Sequence, residues 1–537
     1  MQDSASLRNM SERSQLSVEK ALVIGLDGAS FNIIDPLVER GYLPNLARIM
    51  SEGRSYHLKS TIPSNTPVAW TSMTTGQNPG KHGIFGFLKY DYPTIKVVSS
   101  QDNKALCLWD YLGEQGKPSV IINLPFTWPP KKINGVMACF DWAIINNESK
   151  LAEPASVNTY IKEQSLDRIA SFHPELGNPD LERYHEIVKK QTQFTLDMAK
   201  QFKWELLFVV FMVTDSVVHL YPTRKQMVDE VYGIVDTAVG QLLNLVDLRK
   251  DRVFITSDHG TKIFDRVYPV PAFFREQRLL RLKTTARSSA ELALVNLVLK
   301  ILEQYHVKLP VSIKNLYKKI TGRKKTRLSL RDIVDKQHSP IFVCDENSRI
   351  DVLIRLTDRS LANERVKQSI RKRIVDRLNL NETVIRHAWT SDEIYSGPHI
   401  EGAPDIILEM AENVAADISS SSFYEKPRSY PSYKGGHIRN GILIAAGNSI
   451  SQTKDRNIAH VADIAPTILH TLQLTIPLNL DGRVLLDLFE PDSVLGKAPS
   501  FDEVQTQKNV TSIADLTAYN QDEEEQMKAR LQKLGYL

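Results

Sequence analysis

The chain has 537 residues, of which 42% are hydrophobic and 24% are charged, and its net charge is +4. This composition is typical of a globular protein, and the longest fully apolar run, residues 206–213, is too short to span a bilayer. Residues 275–331 contain 15 Lys and Arg against three Glu, which gives them a net charge of +12 and leaves the rest at −8, so we expect one basic surface and no specific nucleic-acid binding.

The N-terminal region gives no sign of export. Residues 1–19 are polar and lack the apolar segment of a secretory signal, so we expect them to be disordered. The three cysteines are too few and too widely spaced for a disulfide framework. Together these features predict a cytoplasmic protein.

Apolar, β-branched runs alternate with helical patterns along most of the chain. These runs predict buried strands over residues 21–27, 119–125, 206–215, 253–258 and 441–447. Helical patterns lie at residues 36–52, 184–202 and 224–248. This alternation predicts an α/β fold with a mostly parallel central sheet, covered by helices on both faces.

The pattern changes between residues 265 and 339, where a helical stretch is followed by a basic run. We predict an inserted helical basic cap there, between catalytic-domain segments 20–264 and 340–489. Residues 490–537 are polar and predict a surface tail that ends in a helix. The cap has two interpretations, which are solvated helices with Lys and Arg facing water, or a surface that contacts an anionic membrane or recruits an anionic substrate.

The sheet pattern resumes after the cap. Strands are predicted over 350–356 and 405–410, with a helix over 361–377 between them.

Acidic residues stand at the C-terminal ends of three predicted strands, where α/β sheets bind ligands. Taken alone, each acidic or histidine motif has a simpler interpretation, as a turn, as a pair that occurs by chance, or as part of a surface loop. Together, three Asp and three His provide enough ligands for two divalent cations, with Zn²⁺ or Mn²⁺ compatible with this donor set. The six residues are Asp27, Asp215, His219, Asp258, His259 and His437, the last placed in a predicted loop after two glycines.

A hydroxyl at a predicted helix N-terminus is a candidate nucleophile. Thr66 precedes Pro67 and the helix-compatible residues 68–75, and helix N-termini favour anionic phosphate. A cation bound to the hydroxyl oxygen would lower its pKa. The alternative reading of Thr66 is an ordinary N-cap, and the nearby Ser64, Thr71 and Ser72 leave the choice of hydroxyl open on these grounds.

The order of these motifs resembles the alkaline phosphatase superfamily, specifically the type I phosphodiesterase and nucleotide pyrophosphatase family. The resemblance spans residues 22–488. It rests on Asp27-Gly28, Thr66 with Thr75-Gly76 and His82-Gly83-Ile84, Asp215 with His219, Asp258-His259-Gly260, Gly436-His437, Asp463-Ile464-Ala465-Pro466-Thr467 and Asp481-Gly482-Arg483.

The resemblance implies roles for the candidate residues. One metal would be held by Asp215, His219 and His437, and a second by Asp27, Asp258 and His259. The family favours Zn²⁺ at both positions. Thr66 would attack a small-molecule phosphate ester and form a phosphothreonine intermediate. The implied activity is hydrolysis of phosphodiester or pyrophosphate bonds.

The chain departs from the family after the nucleophile. Where nucleotide pyrophosphatases usually read Thr-Phe-Pro-Asn, this sequence continues from Thr66 with Pro67, Val68, Ala69 and Trp70, so the phosphate-contacting Asn is missing. Trp70 and Asn123, or else Lys81 or Arg439, are the candidate replacements in substrate binding. The Thr-Pro-x-Ala-Trp form is similar to phosphohydrolases or phosphomutases of the same superfamily.

Three functional hypotheses follow from the sequence. The first is the two-metal phosphodiesterase or pyrophosphatase. The second is a phosphomonoesterase or phosphomutase that uses the same site. The third is a catalytically inactive, metal-stabilised binding protein.

Overall fold

A nine-stranded mixed sheet forms the centre of the molecule. The computed structural model describes residues 19–91, 94–140, 150–166, 179–281, 283, 330–357, 364–419, 421–502 and 519–534. From one edge to the other the strands are Asn457–His460, Arg54–Lys59, Asn440–Gly447, Arg252–Thr256, Ala21–Leu26, Leu206–Phe211, Ser119–Ile122, Gly135–Ala138 and Ala152–Glu153.

Most of this sheet is parallel, as the sequence predicts. The strands from Arg252–Thr256 to Gly135–Ala138 all run parallel, whereas Asn440–Gly447 is antiparallel to both of its neighbours. Every residue of Ala21–Leu26 and Leu206–Phe211 is buried, because both faces of the sheet are covered. Alternate residues of each strand therefore enter two different cores.

Helices cover both faces. One core contains residues of helices Phe31–Glu39, Pro44–Glu52, Ala155–Glu163, Leu181–Gln201, Val213–Leu220 and Lys225–Leu242. The opposite core contains residues of helices Thr66–Thr75, Leu108–Glu114, Ile464–Thr471 and Gln521–Leu534. Two further short helices are Pro79–His82 and Ser391–Ile394. No helix of the described residues is long and apolar enough to cross a bilayer.

A smaller antiparallel sheet packs beside the central one. Its strands, in spatial order, are Ile341–Asn347, Asp351–Leu356, Ile406–Met410 and Ile385–Thr390. One face forms a separate core with helices Val270–Glu276, Leu330–Ile333 and Glu364–Asn379. The other face contributes to the core under the central sheet, so the two sheets are joined by apolar packing.

Three minor sheets complete the described structure. A three-stranded sheet contains Ala415–Asp417, Gly260–Pro269 and Tyr430–Ile438. Two-stranded pairs are formed by Leu88–Asp91 with Thr94–Val97, and by Ile476–Pro477 with Phe501–Asp502.

Several local predictions are wrong. The predicted helix 36–52 is two helices, because the first ends near Gly41, whose φ is +75°. Residues 265–269, predicted as the start of the helical cap, belong to strand Gly260–Pro269, which pairs with Tyr430–Ile438. The helix predicted in the C-terminal tail is present as Gln521–Leu534, but its placement at the surface is wrong, because Met527 and Leu531 are buried in the core.

Other predictions fall on residues that the structure does not describe. Residues 284–329, which hold most of the predicted basic cap, lie outside the described residues, as do residues 1–18 of the predicted disordered segment. The domain boundaries therefore stay predictions.

Candidate active site

Three neighbouring parallel strands bring the acidic residues to one edge of the sheet. Asp27 follows strand Ala21–Leu26, Asp258 lies two residues beyond Arg252–Thr256, and Asp215 lies in the first turn of the helix after Leu206–Phe211. The backbone N–H of Gly28 donates to Asp258 Oδ1 at 3.2 Å, so the two strand ends are directly connected. The convergence predicted from the strand ends is present in the structure.

Gly28 is required where two of these segments meet. Its φ is +67°, and a Cβ atom at this position would lie 2.6 Å from Asp215 Oδ1. Only glycine combines this backbone conformation with so close an approach to the carboxylate.

His437 lies in a strand and not in the predicted loop. Strand Tyr430–Ile438 places His437 opposite Thr261 in the antiparallel register. A Cβ atom on Gly435 would lie 2.3 Å from the carbonyl oxygen of Val218, so this glycine lets the strand pass close to helix Val213–Leu220. The glycine therefore marks a close backbone contact, which explains why the loop prediction is wrong.

The tautomer of His437 follows from its hydrogen bond. Nδ1 lies 2.6 Å from the carbonyl oxygen of Ser64, which can only accept, so Nδ1–H is the donor. Nε2 then faces Asp215 Oδ1 at 3.7 Å with its lone pair. This is the form in which an imidazole binds a metal.

Thr66 is the first residue of helix Thr66–Thr75, and Asn65 is the N-cap. Asn65 Oδ1 accepts the Val68 N–H at 3.4 Å, so the reading of Thr66 as the N-cap is wrong. Because Pro67 has no N–H and the Val68 N–H is engaged, this helix end offers fewer backbone donors to a phosphate than expected. The Thr66 Oγ1 atom lies 3.4 Å from His259 Nε2.

The neighbouring hydroxyls are engaged elsewhere. Ser64 Oγ donates to Asp351 Oδ2 at 3.0 Å, and Thr71 Oγ1 donates to the Pro67 carbonyl at 2.6 Å. Ser72 Oγ lies 2.8 Å from Nε2 of His82, whose pKa is lowered to about 3 by burial. Of these hydroxyls in the described structure, Thr66 is the one whose oxygen contacts the Asp and His cluster, which distinguishes it from Ser64, Thr71 and Ser72.

Two sets of three side chains are arranged so that each could hold a metal ion. The first is Asp215, His259 and His437, and the second is Asp27, Asp258 and His259; within each set the ligand atoms lie within 4.8 Å of one another. His259 belongs to both sets. The resemblance assigns His219 to the first metal; its Nε2 lies 3.4 Å from Asp215 Oδ1, beside that set and not within it.

The electrostatics of the cluster fit cation binding. Burial alone would raise the pKa of Asp215, but His219, His437 and His259 together hold it below its ordinary value. Burial lowers the pKa of His437 well below its ordinary value, and His259 lowers it further. Burial opposes protonation of His259 too, yet Asp258 and Asp215 raise its pKa. The lowered pKa values of Asp215 and His437 favour an ionised carboxylate and a neutral imidazole, the ligand state that metals require, and the raised pKa of His259 shows that its carboxylate neighbours favour positive charge at this position.

Trp70 contacts a candidate metal ligand. Its buried indole Nε1–H donates to Asp27 Oδ2 at 2.8 Å, and its ring packs edge-on against Phe208 with ring centroids 6.0 Å apart. A Cβ atom on Gly25 would lie 2.6 Å from the indole ring, so glycine makes room for it. The role of Trp70 in orienting Asp27 was missed by the sequence analysis, although a buried indole N–H needs a partner.

The other predicted substrate contacts have structural partners. Asn123 Oδ1 accepts the Phe140 N–H at 3.0 Å. Lys81 Nζ pairs with Asp481 at 2.6 Å, and Arg439 Nη2 with Asp351 at 2.5 Å.

Asp351 is a second residue that the sequence analysis missed. It begins strand Asp351–Leu356 of the smaller sheet and is buried. Its Oδ2 accepts the N–H of Ser64 at 2.8 Å, while its Oδ1 accepts from Arg439. Asp351 therefore holds the segment that leads into Thr66, and no local motif in the sequence signals this contact.

Comparison with known structures identifies the fold. The chain is similar to wild-type alkaline phosphatase PafA (13% identity, TM-score 0.52), covering 88% of this chain and 100% of that one. It is similar to the inactive murine ectonucleotide pyrophosphatase/phosphodiesterase 5 in complex with AMP (14%, TM-score 0.51, 88% and 100%). It also resembles phosphonoacetate hydrolase from Sinorhizobium meliloti 1021 in complex with phosphonoformate (15%, TM-score 0.50, 83% and 94%).

The family assignment comes from the sequence itself. Residues 21–417 match the family described as type I phosphodiesterase / nucleotide pyrophosphatase, which is more than half of the chain. The matched range contains five of the six candidate metal ligands and Thr66, whereas His437 lies beyond its end. The chain therefore has an alkaline phosphatase-like fold and belongs to the type I phosphodiesterase / nucleotide pyrophosphatase family of metal-dependent hydrolases.

Proposed function

We propose that this protein is a two-metal hydrolase that cleaves phosphodiester or pyrophosphate bonds with Thr66 as the nucleophile. One observation supports this most strongly. Thr66 Oγ1 lies 3.4 Å from His259 Nε2, and His259 belongs to both sets of candidate ligands. The hydroxyl therefore lies beside the residue shared by the two candidate metal positions.

The donor set fits two divalent cations. Asp215, His219, His259 and His437 would surround one ion, and Asp27, Asp258 and His259 the other, with Zn²⁺ favoured by the family and Mn²⁺ compatible. Bound cations would lower the pKa of the Thr66 hydroxyl and neutralise charge on the transferring phosphoryl group.

The reaction would then proceed by two displacements at phosphorus, the first by Thr66 and the second by water. Thr66 Oγ1 releases its proton to solvent and attacks in line, forming an O–P bond as the bond to the leaving-group oxygen breaks and that group departs with the bonding electron pair. Water next attacks the same phosphorus and gives up a proton, the Thr66 O–P bond breaks, and Thr66 Oγ1 takes up a proton to regenerate the hydroxyl. Throughout, Trp70 holds Asp27, while Asp351 and Ser64 hold the backbone that precedes Thr66.

A phosphomonoesterase or phosphomutase acting at the same site is the second candidate. It is favoured by the segment Val68-Ala69-Trp70, which lacks the Asn that nucleotide pyrophosphatases carry there. It is also favoured by the hydrogen bond of the Trp70 indole N–H to Asp27, which leaves this donor unable to replace the Asn in binding phosphate. The murine relative contains AMP and the bacterial relative phosphonoformate, so small phosphoryl compounds are the substrate class we propose. A catalytically inactive binding protein is the third candidate.

Hydrolysis of two chromogenic substrates by the metal-loaded protein separates these candidates. We expect bis-(p-nitrophenyl) phosphate to be cleaved faster than p-nitrophenyl phosphate, whereas the reverse order would favour the monoesterase or phosphomutase. Thr66→Ala should abolish turnover and retain bound metal. Thr71→Ala, which removes a buried hydroxyl of the same helix, should retain turnover. No activity with either ester and Zn²⁺, Mn²⁺ or Mg²⁺ would favour the binding protein.

The cellular setting stays a prediction. We propose a cytoplasmic protein, and the contact of the basic segment with anionic membranes rests on residues 314–331, nearly all of which lie outside the described residues. Cosedimentation with anionic vesicles would test it, and equal binding by a variant with Lys318, Lys319, Lys324 and Lys325 neutralised would contradict it.

A further inference from the structure

A cleft of about 1140 Å³ lies between the edge of the central sheet and the smaller antiparallel sheet. Lys59 and Asn440, at one end of paired central strands, contribute to one wall. Arg386 and Trp389, from strand Ile385–Thr390, contribute to the opposite wall. Clefts of this size at the junction of two structural units are typical ligand sites.

The cleft adjoins the candidate active site. Residues 60–62, which line it, belong to the segment that leads into Thr66, and Arg439 follows His437 by two residues. Arg439 Nη1 donates to the carbonyl of Thr61 at 2.6 Å, so the segment that leads into Thr66 and the segment that follows His437 are hydrogen-bonded to each other. The side chains of the six candidate ligands are buried, with that of His219 2% exposed, so a substrate that reaches them must occupy adjacent space.

The acidic residues of this cleft are largely paired. Glu409 lies 3.4 Å from Arg439 Nε and 3.7 Å from Arg386 Nη1. Asp481 pairs with Lys81 at 2.6 Å. These carboxylates are therefore already neutralised by their own arginine and lysine partners.

Two lysines in the lining have no such partner. Within the described residues Lys59 makes no ion pair, and Lys262 Nζ donates to the neutral amide oxygen of Asn413 at 2.8 Å and lies 4.7 Å from the centroid of the Phe264 ring. The remaining acid of the lining, Glu412, is exposed and forms no ion pair within 4.0 Å in the same part of the chain. Burial lowers the pKa of Lys262, and the charges of Glu412 and Asp265 oppose this only in part. Ammonium groups that form no close ion pair beside a cleft attract an anionic group on a ligand.

An aromatic surface lies on the opposite wall. The rings of His387 and Trp389 lie with centroids 4.6 Å apart, and Trp389 is half-buried while His387 is exposed. A half-buried indole at a cleft wall offers a face on which a planar group can stack.

We propose that this cleft binds the second ester arm of a phosphodiester substrate, and that the preferred arm carries both a planar ring and its own anionic group. The ring packs on Trp389, and the anionic group lies between Lys59 and Lys262. This inference rests on the proposed function, because it assigns a binding site to the ester arm that stays on phosphorus when p-nitrophenolate leaves.

Three matched substrates test the proposal. Each is a diester of p-nitrophenyl phosphate, with a methyl, phenyl or 4-carboxyphenyl group as the second arm, and each releases the same p-nitrophenolate. We expect kcat/KM to rise from methyl to phenyl and again, by about tenfold, from phenyl to 4-carboxyphenyl, the increment expected for one charge pair near a protein surface.

Variants of the cleft residues test which wall is responsible for each increase in kcat/KM. Lys59→Gln and Lys262→Gln should each lower the ratio of kcat/KM for the carboxyphenyl and phenyl substrates, and Trp389→Ala should lower the ratio for phenyl and methyl. The exposed Lys372, on helix Glu364–Asn379 outside the cleft lining, provides the control Lys372→Gln, which should leave both ratios unchanged.

The outcomes separate the two claims. If all three substrates are hydrolysed with ratios near one, or if the lysine variants leave the ratios unaltered, the cleft assignment is overturned while the hydrolase remains. If no substrate releases p-nitrophenolate, or if Thr66→Ala releases it at the wild-type rate, the proposed function itself fails, and the cleft assignment fails with it.

Discussion

Replacing Trp70 by phenylalanine should weaken metal binding without removing a metal ligand. The indole N–H donates to Asp27 Oδ2 at 2.8 Å, and both side chains are fully buried. Phenylalanine keeps an aromatic ring against Phe208 but removes the donor. A hydrogen bond to a charged group contributes about 1.5–3 kcal/mol, which corresponds to an affinity change of about 10–100-fold, the usual effect of losing a group that orients a metal ligand.

Competition with a chelator of known affinity measures this effect directly. We expect the Kd for Zn²⁺ of the initially metal-free Trp70→Phe protein to be about 10–100-fold higher than that of wild type. Trp109→Phe is the matched control, because Trp109 is buried and its Nε1 has no hydrogen-bond partner within the described residues. Equal Kd values for wild type, Trp70→Phe and Trp109→Phe would refute the orienting role.

Three further predictions concern stability. Gly28→Ala should lower the free energy of unfolding by about 1–3 kcal/mol more than Gly41→Ala, because both have positive φ but only Gly28 would crowd Asp215; equal losses in denaturant titrations would contradict this. Removing metal with a chelator should lower the midpoint of thermal unfolding, since ions bound at about 100 times Kd stabilise by about 2.7 kcal/mol; an unchanged midpoint would argue against a folded-state site. Burial raises the pKa of Glu346 from 4.5 to about 8, so the folded chain binds a proton that the unfolded chain releases, and stability should fall as pH rises between these values; Glu346→Gln should lose this dependence, and a parallel pH profile for the variant would contradict the assignment.

The metal-binding edge of the sheet could be predicted because its signals are local. The apolar runs before Asp27 and Asp258 specify buried parallel strands, and the acid after each run lies at the edge where such strands end. Asp215 and His219 are four residues apart on one helix, where side chains at this spacing share a face. Local pattern and residue chemistry were sufficient for these positions.

The remaining features depend on contacts between distant parts of the chain. Strand Gly260–Pro269 exists because it pairs with Tyr430–Ile438, about 170 residues later, and this pairing also moves His437 from a predicted loop into a strand. The Asp351 contact with Ser64 spans 287 residues and joins the smaller sheet to the nucleophile segment. Such pairings leave no periodic pattern near either partner, so sequence reasoning missed them.

The position of His259 shows the same limit within the site itself. The family resemblance grouped it with Asp27 and Asp258, and in the structure these three residues form one of the two candidate ligand sets. Its ring also stacks on His437 with centroids 3.7 Å apart, which brings it into the set with Asp215. Sharing of one side chain between two sets depends on three-dimensional ring placement and could not be read from spacing.

Detection of the covalent intermediate tests the central claim most directly. The metal-loaded protein would be mixed with bis-(p-nitrophenyl) phosphate, quenched in acid during turnover, digested, and analysed by tandem mass spectrometry. The account predicts a p-nitrophenylphosphoryl adduct on Thr66 that is absent from Thr66→Ala. Continued p-nitrophenolate release with no adduct on Thr66, or with the adduct on another residue, would contradict it.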